Sequence, residues 1–213
     1  MVLIQGLIQN FPKKKLSLLI IGLTFCLFFL IYIVSEVYDI PMRLIIEDPL
    51  STFGVNPLTG IVSNLGVLLW CATASILFFT FFLVIGSADN KKTMFLLYCA
   101  ILTTILLFDD LFMFHEHILK SIGIEESVMY GVYMLLFGIL FVAFFRILKN
   151  STFNYLILIT FISFGSSVII DFFTGEKLRM LFEDGFKFLG IVCWSMFFIF
   201  YSFKMVRHSL SEK

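Results

Sequence analysis

Six stretches of this chain stay apolar for the thickness of a bilayer, and that leaves few folds open to it. They run over residues 16–35, 61–86, 93–114, 127–147, 153–173 and 185–206. A membrane-crossing helix needs about 20 largely apolar residues. A membrane β-strand is about half that length and alternates between lipid and lumen. These runs do not alternate: 29 phenylalanines lie mostly among Leu and Ile. Only helices and closed barrels satisfy every backbone polar group in lipid, so the pattern predicts an all-α, polytopic bundle of six transmembrane helices.

Composition agrees with this reading. Of 213 residues, 60% are hydrophobic and 14% charged, and the mean hydropathy is +1.03. One soluble core cannot bury that much apolar surface, so membrane lipid is the expected partner. A formal net charge of zero gives no basic excess for nucleic acid. No Gly-rich phosphate loop occurs, which sets nucleotide chemistry aside. Cys26, Cys71, Cys99 and Cys193 all fall in apolar runs without paired spacing and read as packing residues.

Residues 1–12 place Val2, Leu3, Ile4, Leu7, Ile8 and Phe11 at helical spacing among polar residues, as expected of an amphipathic interfacial helix. Residues 13–207 are then one six-helix transmembrane domain, and 208–213 a short tail. With the amino end in the cytoplasm, ten of the fifteen Lys and Arg residues fall on that side, among them Lys13, Lys14, Lys15, Lys91, Lys92, Arg146 and Lys149. The positive-inside rule therefore predicts an inner-membrane protein with both termini cytoplasmic. The connection over 36–60 holds three of the four prolines and several apolar residues, and is a candidate lid on the outer face.

On this topology only Asp89 and Glu212 of the fifteen carboxylates lie at the cytoplasmic side. The third span ends in F-D-D-L-F-M-F-H-E-H, carrying Asp109, Asp110, His115, Glu116 and His117. At 100° per residue Asp109 and Glu116 share one helix stripe, and Asp110 and His117 the next. Asp109 lies about 22 Å along that span, where an unpaired charge costs on the order of 3 kcal/mol. The other helices bring Glu36, Ser63, Asn64, Asp171, Glu183, Asp184 and Lys187 to the same depth. Carboxylates and imidazoles converging with so few bases are what a divalent cation, or a proton or cation path, requires.

Two chemistries follow. In the first, Asp109, Glu116, His117, Asp171 and Glu183 hold a divalent metal ion of undetermined identity that activates water. Asp109, Asp110, Glu116, Ser63 and Asn64 then form the catalytic group of a membrane hydrolase acting on a lipid-like substrate, with Glu36, Asp184 and Lys187 in support. The arrangement resembles the CREST membrane hydrolases in gathering Ser, Asp and His at one end of a bundle. It departs from them in having six spans and no late H-x-x-x-H. In the second, the same carboxylates line the outer vestibule of a cation or proton channel or transporter. A non-catalytic subunit is a third reading, in which Gly131, Gly138, Ala143, Gly165, Ser166 and Gly190 serve as helix contacts, in a homo-oligomer or with other subunits.

Overall fold

A computed structural model describes the backbone of residues 13–46, 53–56, 58–86, 89–114, 118–173 and 176–211. The side chains of 13–20, 23, 27, 43, 126–127, 171–173 and 176–181 lie outside the description. The interfacial helix expected over 1–12 also lies outside the described residues. Among the described residues every regular element is helical. The chain divides into two units, Met1–Gly60 and Ile61–Lys213.

The first unit contains α1 (Lys13–Tyr38) and the short α2 (Met42–Ile46). α1 runs three residues past its apolar stretch. It stops where Asp39 takes a left-handed conformation (φ 51°), and the Ser35 hydroxyl donates to the Ile40 carbonyl at 2.7 Å. The loop after α2 turns at Asn56, whose side-chain oxygen accepts from the Leu58 amide at 2.9 Å.

The second unit holds α3 (Ile61–Val84), α4 (Asn90–Phe112), the one-turn α5 (Leu119–Ser121), α6 (Glu126–Lys149), α7 (Asn154–Phe173) and α8 (Glu176–Ser211). Four helical stretches, Ile61–Val84, Asn90–Phe112, Val128–Lys149 and Phe182–Ser211, are long and apolar enough to cross a membrane, as in a multi-pass membrane protein. Thr24–Tyr38 and Asn154–Ile170 are shorter apolar helical stretches. Many large apolar side chains face outward, Val142 at 87% exposure among them, as expected where lipid replaces water.

α4 packs against α3, α6 and α8. It starts at the N-cap Asp89, whose carboxylate accepts from the Lys91 amide at 3.1 Å. Phe95, Leu96, Cys99, Ala100 and Leu102 are fully or almost fully buried. The contacts fix the direction of each neighbour. Asp110 meets Trp70 on α3. Thr103 meets Trp194 and Phe95 meets Tyr201 on α8. Phe95 also meets Phe144, and Tyr98 reaches the Leu136 carbonyl, on α6. α4 thus runs antiparallel to α3, α6 and α8. α7 runs antiparallel to α8, since Phe164 lies against Gly190 and Phe153 stacks on Phe200. The five long helices alternate in direction.

Alternation sorts the charges. Asp109, Asp110, Glu125, Glu183, Asp184 and Lys187 gather toward one end of the unit, which is acidic. Lys91, Lys92, Arg146, Lys149, Lys204 and Arg207 gather toward the other, which is basic.

Candidate functional site

The site forms where α4 stops short. Met113 adopts a left-handed conformation (φ 50°, ψ 45°) and its amide caps the Asp109 carbonyl. The helix therefore ends at Phe112, and Glu116, expected on the Asp109 stripe, lies outside the described residues. The cause is local: a residue at positive φ interrupts the regular α-helical repeat. Met113 carries a side chain, so this turn costs on the order of 1 kcal/mol.

The neighbours of α4 continue past that point. Trp70 lies nine residues into α3, Tyr133 seven into α6 and Lys187 eleven into α8. At ~1.5 Å per residue those helices extend about 10 to 16 Å beyond the level of Asp110. Asp109 and Asp110 therefore lie below the first turns of α3, α6 and α8.

Asp110 has two partners there. The Lys187 ammonium lies 2.8 Å from one carboxylate oxygen, and the Trp70 indole N–H donates to the other at 2.7 Å. The Asp110 side chain is 12% exposed and that of Lys187 40%. Asp109 is buried, at 5% exposure. The Tyr133 hydroxyl is within electrostatic reach of both carboxylates, yet no group meets it at full hydrogen-bond geometry among the described residues.

Beneath the carboxylates lies an aromatic floor. Trp70 packs against Phe164 at 6.2 Å and edge-on to Trp194 at 6.3 Å, and Phe137 meets Trp194 at 5.8 Å. Packing on several sides fixes the indole plane and hence the aim of its N–H at Asp110. Trp194 is held in turn by donating to the Thr103 hydroxyl at 3.1 Å.

The remaining sequence candidates fall as follows. Ser63 and Asn64 are exposed on the first turn of α3, with Ser63 on the Trp70 face two turns nearer the helix start. Glu183 is half-buried one turn before Lys187 and has a partner, and Asp184 is exposed. Glu36 is exposed in the first unit. Glu116, His117 and the Asp171 side chain lie outside the described residues. Among the described residues no group of three His, Cys, Asp or Glu side chains could hold a metal ion.

Trp70 and Tyr133 were not singled out from the sequence. Each lies inside a continuous apolar run, where an aromatic residue reads as core. Their spacing from Ser63 and Gly131 gave no local signal.

The model of a family described as a domain of unknown function (DUF8692) matches residues 18–200. No curated protein matches the chain, and no solved structure does.

Proposed function

The chain belongs to the DUF8692 family, and on that premise we propose that it is a membrane protein that moves small cations, protons foremost, with Asp109 and Asp110 as the exchange site. One observation carries this reading: Asp110, 12% exposed and held by the Lys187 ammonium at 2.8 Å and the Trp70 indole N–H at 2.7 Å, stands next to the buried carboxylate of Asp109. Adjacent carboxylates with little access to water favour a state in which one of them holds a proton or a small cation. Lys187 steadies the ionised form of Asp110 as the pair loads and unloads.

The proposed protein has six spans. α1 and α7 have 26 and 20 helical residues, about 39 and 30 Å at ~1.5 Å per residue. The basic end faces the cytoplasm of a bacterial-type inner membrane, so both termini lie there and the end that carries Asp109 and Asp110 faces outward.

The test is cation flux into liposomes that carry the purified protein and an internal pH-sensitive dye, driven by a potassium diffusion potential. Wild type should acidify the lumen faster than protein-free vesicles, and Asp110→Asn should not. Absence of flux for protons, sodium and potassium alike would sink the reading.

A second reading uses the same carboxylates with a divalent metal, in a hydrolase of lipid-like substrates. The observation in its favour is the stacked, exposed pair Phe108 and Phe112, 5.9 Å apart with planes 5° from parallel, on the turns that carry Asp109 and Asp110. Such rings offer an apolar platform to an acyl chain. Elemental analysis of wild type against an Asp109→Asn, Asp110→Asn double variant separates the two: a stoichiometric metal lost in the variant favours the hydrolase.

A further inference from the structure

α6 is the least covered of the four membrane-long helical stretches: 11% of its apolar window is buried, against 33% or more in the other three. One face does the packing. At 100° per residue Tyr133, Phe137, Leu140, Phe144 and Leu148 fall within an arc of about 80°. On that arc Phe144 meets Phe95 and Tyr98 of α4, and Phe137 meets Phe161 and Phe164 of α7. The opposite face carries a groove of about 620 Å³, cut by Gly131 and Gly138 and walled by Met134, Leu135, Val142 and Ala143. A Cβ added at either glycine would meet nothing within 4 Å. These two glycines, expected from the sequence as helix contacts, leave an open notch instead.

The same stripe runs on into two cations. Arg146 follows Ala143 by three residues, and Lys149 follows Arg146 by three more. On the helical repeat Lys149 returns to the direction of Gly131, and Arg146 lies about 60° from it, within the arc of the groove. Both side chains are exposed. Neither pairs with a carboxylate among the described residues. The basic end holds Asp89 as its one described carboxylate, against Lys91, Lys92, Arg146, Lys149, Lys204 and Arg207. From Arg146 back to Leu135 is about 16 Å at ~1.5 Å per residue. That is half of a hydrocarbon core about 30 Å thick, so the apolar slot is one leaflet deep and ends in positive charge.

We propose that this face of α6 binds an anionic phospholipid, with one acyl chain in the groove over Gly138 and the phosphate on Arg146 and Lys149. The volume falls within the range of ligand sites, about 300–1,000 Å³. A guanidinium takes two phosphate oxygens at once and an ammonium adds a point charge, so the two side chains hold one headgroup together. A second copy of the chain is the poorer occupant. A two-fold axis along the membrane normal sets each residue of α6 near its own counterpart, and Arg146 and Lys149 would then face Arg146 and Lys149. An anionic lipid brings the opposite charge, whereas a zwitterionic lipid carries a cation of its own into the same place. The other end of α6 starts at the N-cap Glu125, a carboxylate, so the headgroup belongs at the basic end. This site is separate from the carboxylates on α4 and does not depend on what they carry.

The experiment is photocrosslinking of the full chain in phosphatidylcholine nanodiscs that carry a small share of a probe lipid with a diazirine in its acyl chain. The probe is phosphatidylglycerol or phosphatidylcholine, and adducts are mapped by peptide mass spectrometry. Phe79 and Phe82 on α3, exposed to a similar degree as Leu135, serve as the reference face. The phosphatidylglycerol probe should label residues 135–143 roughly tenfold more than the phosphatidylcholine probe, and α3 equally. Arg146→Gln with Lys149→Gln should remove that preference, and Gly138→Leu, which fills the notch, should lower labelling of α6 by both probes. Labelling of α6 by the two probes within about twofold overturns the site, as does a preference that survives the loss of both cations. Thermal melts report folding, and if the double variant fails to fold, the two probes on wild type decide alone. In a background with the native cysteines replaced by alanine, a Val142→Cys disulfide between copies would make a second copy the occupant and overturn the lipid.

Discussion

Lys187 and Asp110, 77 positions apart in the chain, meet at 2.8 Å beside the end of α4. The pair is unequal: the lysine side chain is 40% exposed and the aspartate 12%. The ammonium is therefore screened by its exposed surroundings while the carboxylate depends on its two donors.

Lys187→Met removes the ammonium and leaves Asp110 with the Trp70 N–H as its donor among the described residues. Breaking a fully buried pair costs about 3–5 kcal/mol. The exposure of Lys187 screens this one, so a loss of about 1–2 kcal/mol is expected. Combining it with Asp110→Leu should recover most of that loss. Chemical denaturation in detergent measures both, and a double variant no better than the single would contradict the pairing.

Trp70→Phe keeps an aromatic ring in the floor but deletes the N–H that Asp110 accepts. A hydrogen bond to a charged group contributes about 1.5–3 kcal/mol, and a loss in that range is expected. The chain has two tryptophans, so the variant carries a single emitter, Trp194. Its emission should stay blue and shift little, since Trp194 is fully buried. A red shift toward water-exposed emission would mean that Trp70 supports the core and not just the carboxylate.

Gly190→Ala tests the packing of α7 on α8. A Cβ there would stand 2.4 Å from the Phe164 ring, which also packs against Trp70. Overpacking of this kind costs about 1–3 kcal/mol. Gly138 on α6 has nothing within 4 Å of the same added atom, so Gly138→Ala should be neutral or mildly stabilising through helix propensity. Equal melting temperatures for the two variants would count against the α7–α8 contact.

Orientation is open to labelling. In a background with the four native cysteines replaced by alanine, Thr152→Cys at the basic end and Ser121→Cys at the acidic end should react with a membrane-impermeant maleimide from opposite sides. Intact cells should label the Ser121 position, and only permeabilised cells the Thr152 position. Labelling of both from outside would contradict the alternation of α4, α6 and α7.

The sequence by itself determined the medium, the element type and the asymmetry of charge. Apolar runs of bilayer length leave helices as the economical way to satisfy the backbone in lipid, and that needs no tertiary information. The acidic character of one end was also legible, because helices that alternate in direction turn positions along the chain into levels across the membrane. Tertiary structure decided which polar groups meet. Asp109 and Asp110 were visible as costly residues, but their neighbours Trp70 and Tyr133 sit in apolar runs where an aromatic side chain has many ordinary uses. The end of α4 was hidden too: Met113 is not a residue that favours positive φ, so nothing in F-D-D-L-F-M-F-H-E-H announced the break. The hydroxyl groups buried on α3 and α8, where Thr73 meets Ser195 at 2.8 Å, show the same limit. Thr73, Thr80, Ser195 and Ser202 repeat every seven residues, but whether they face lipid or each other depends on how α3 and α8 turn against one another, and only side-chain packing sets that rotation.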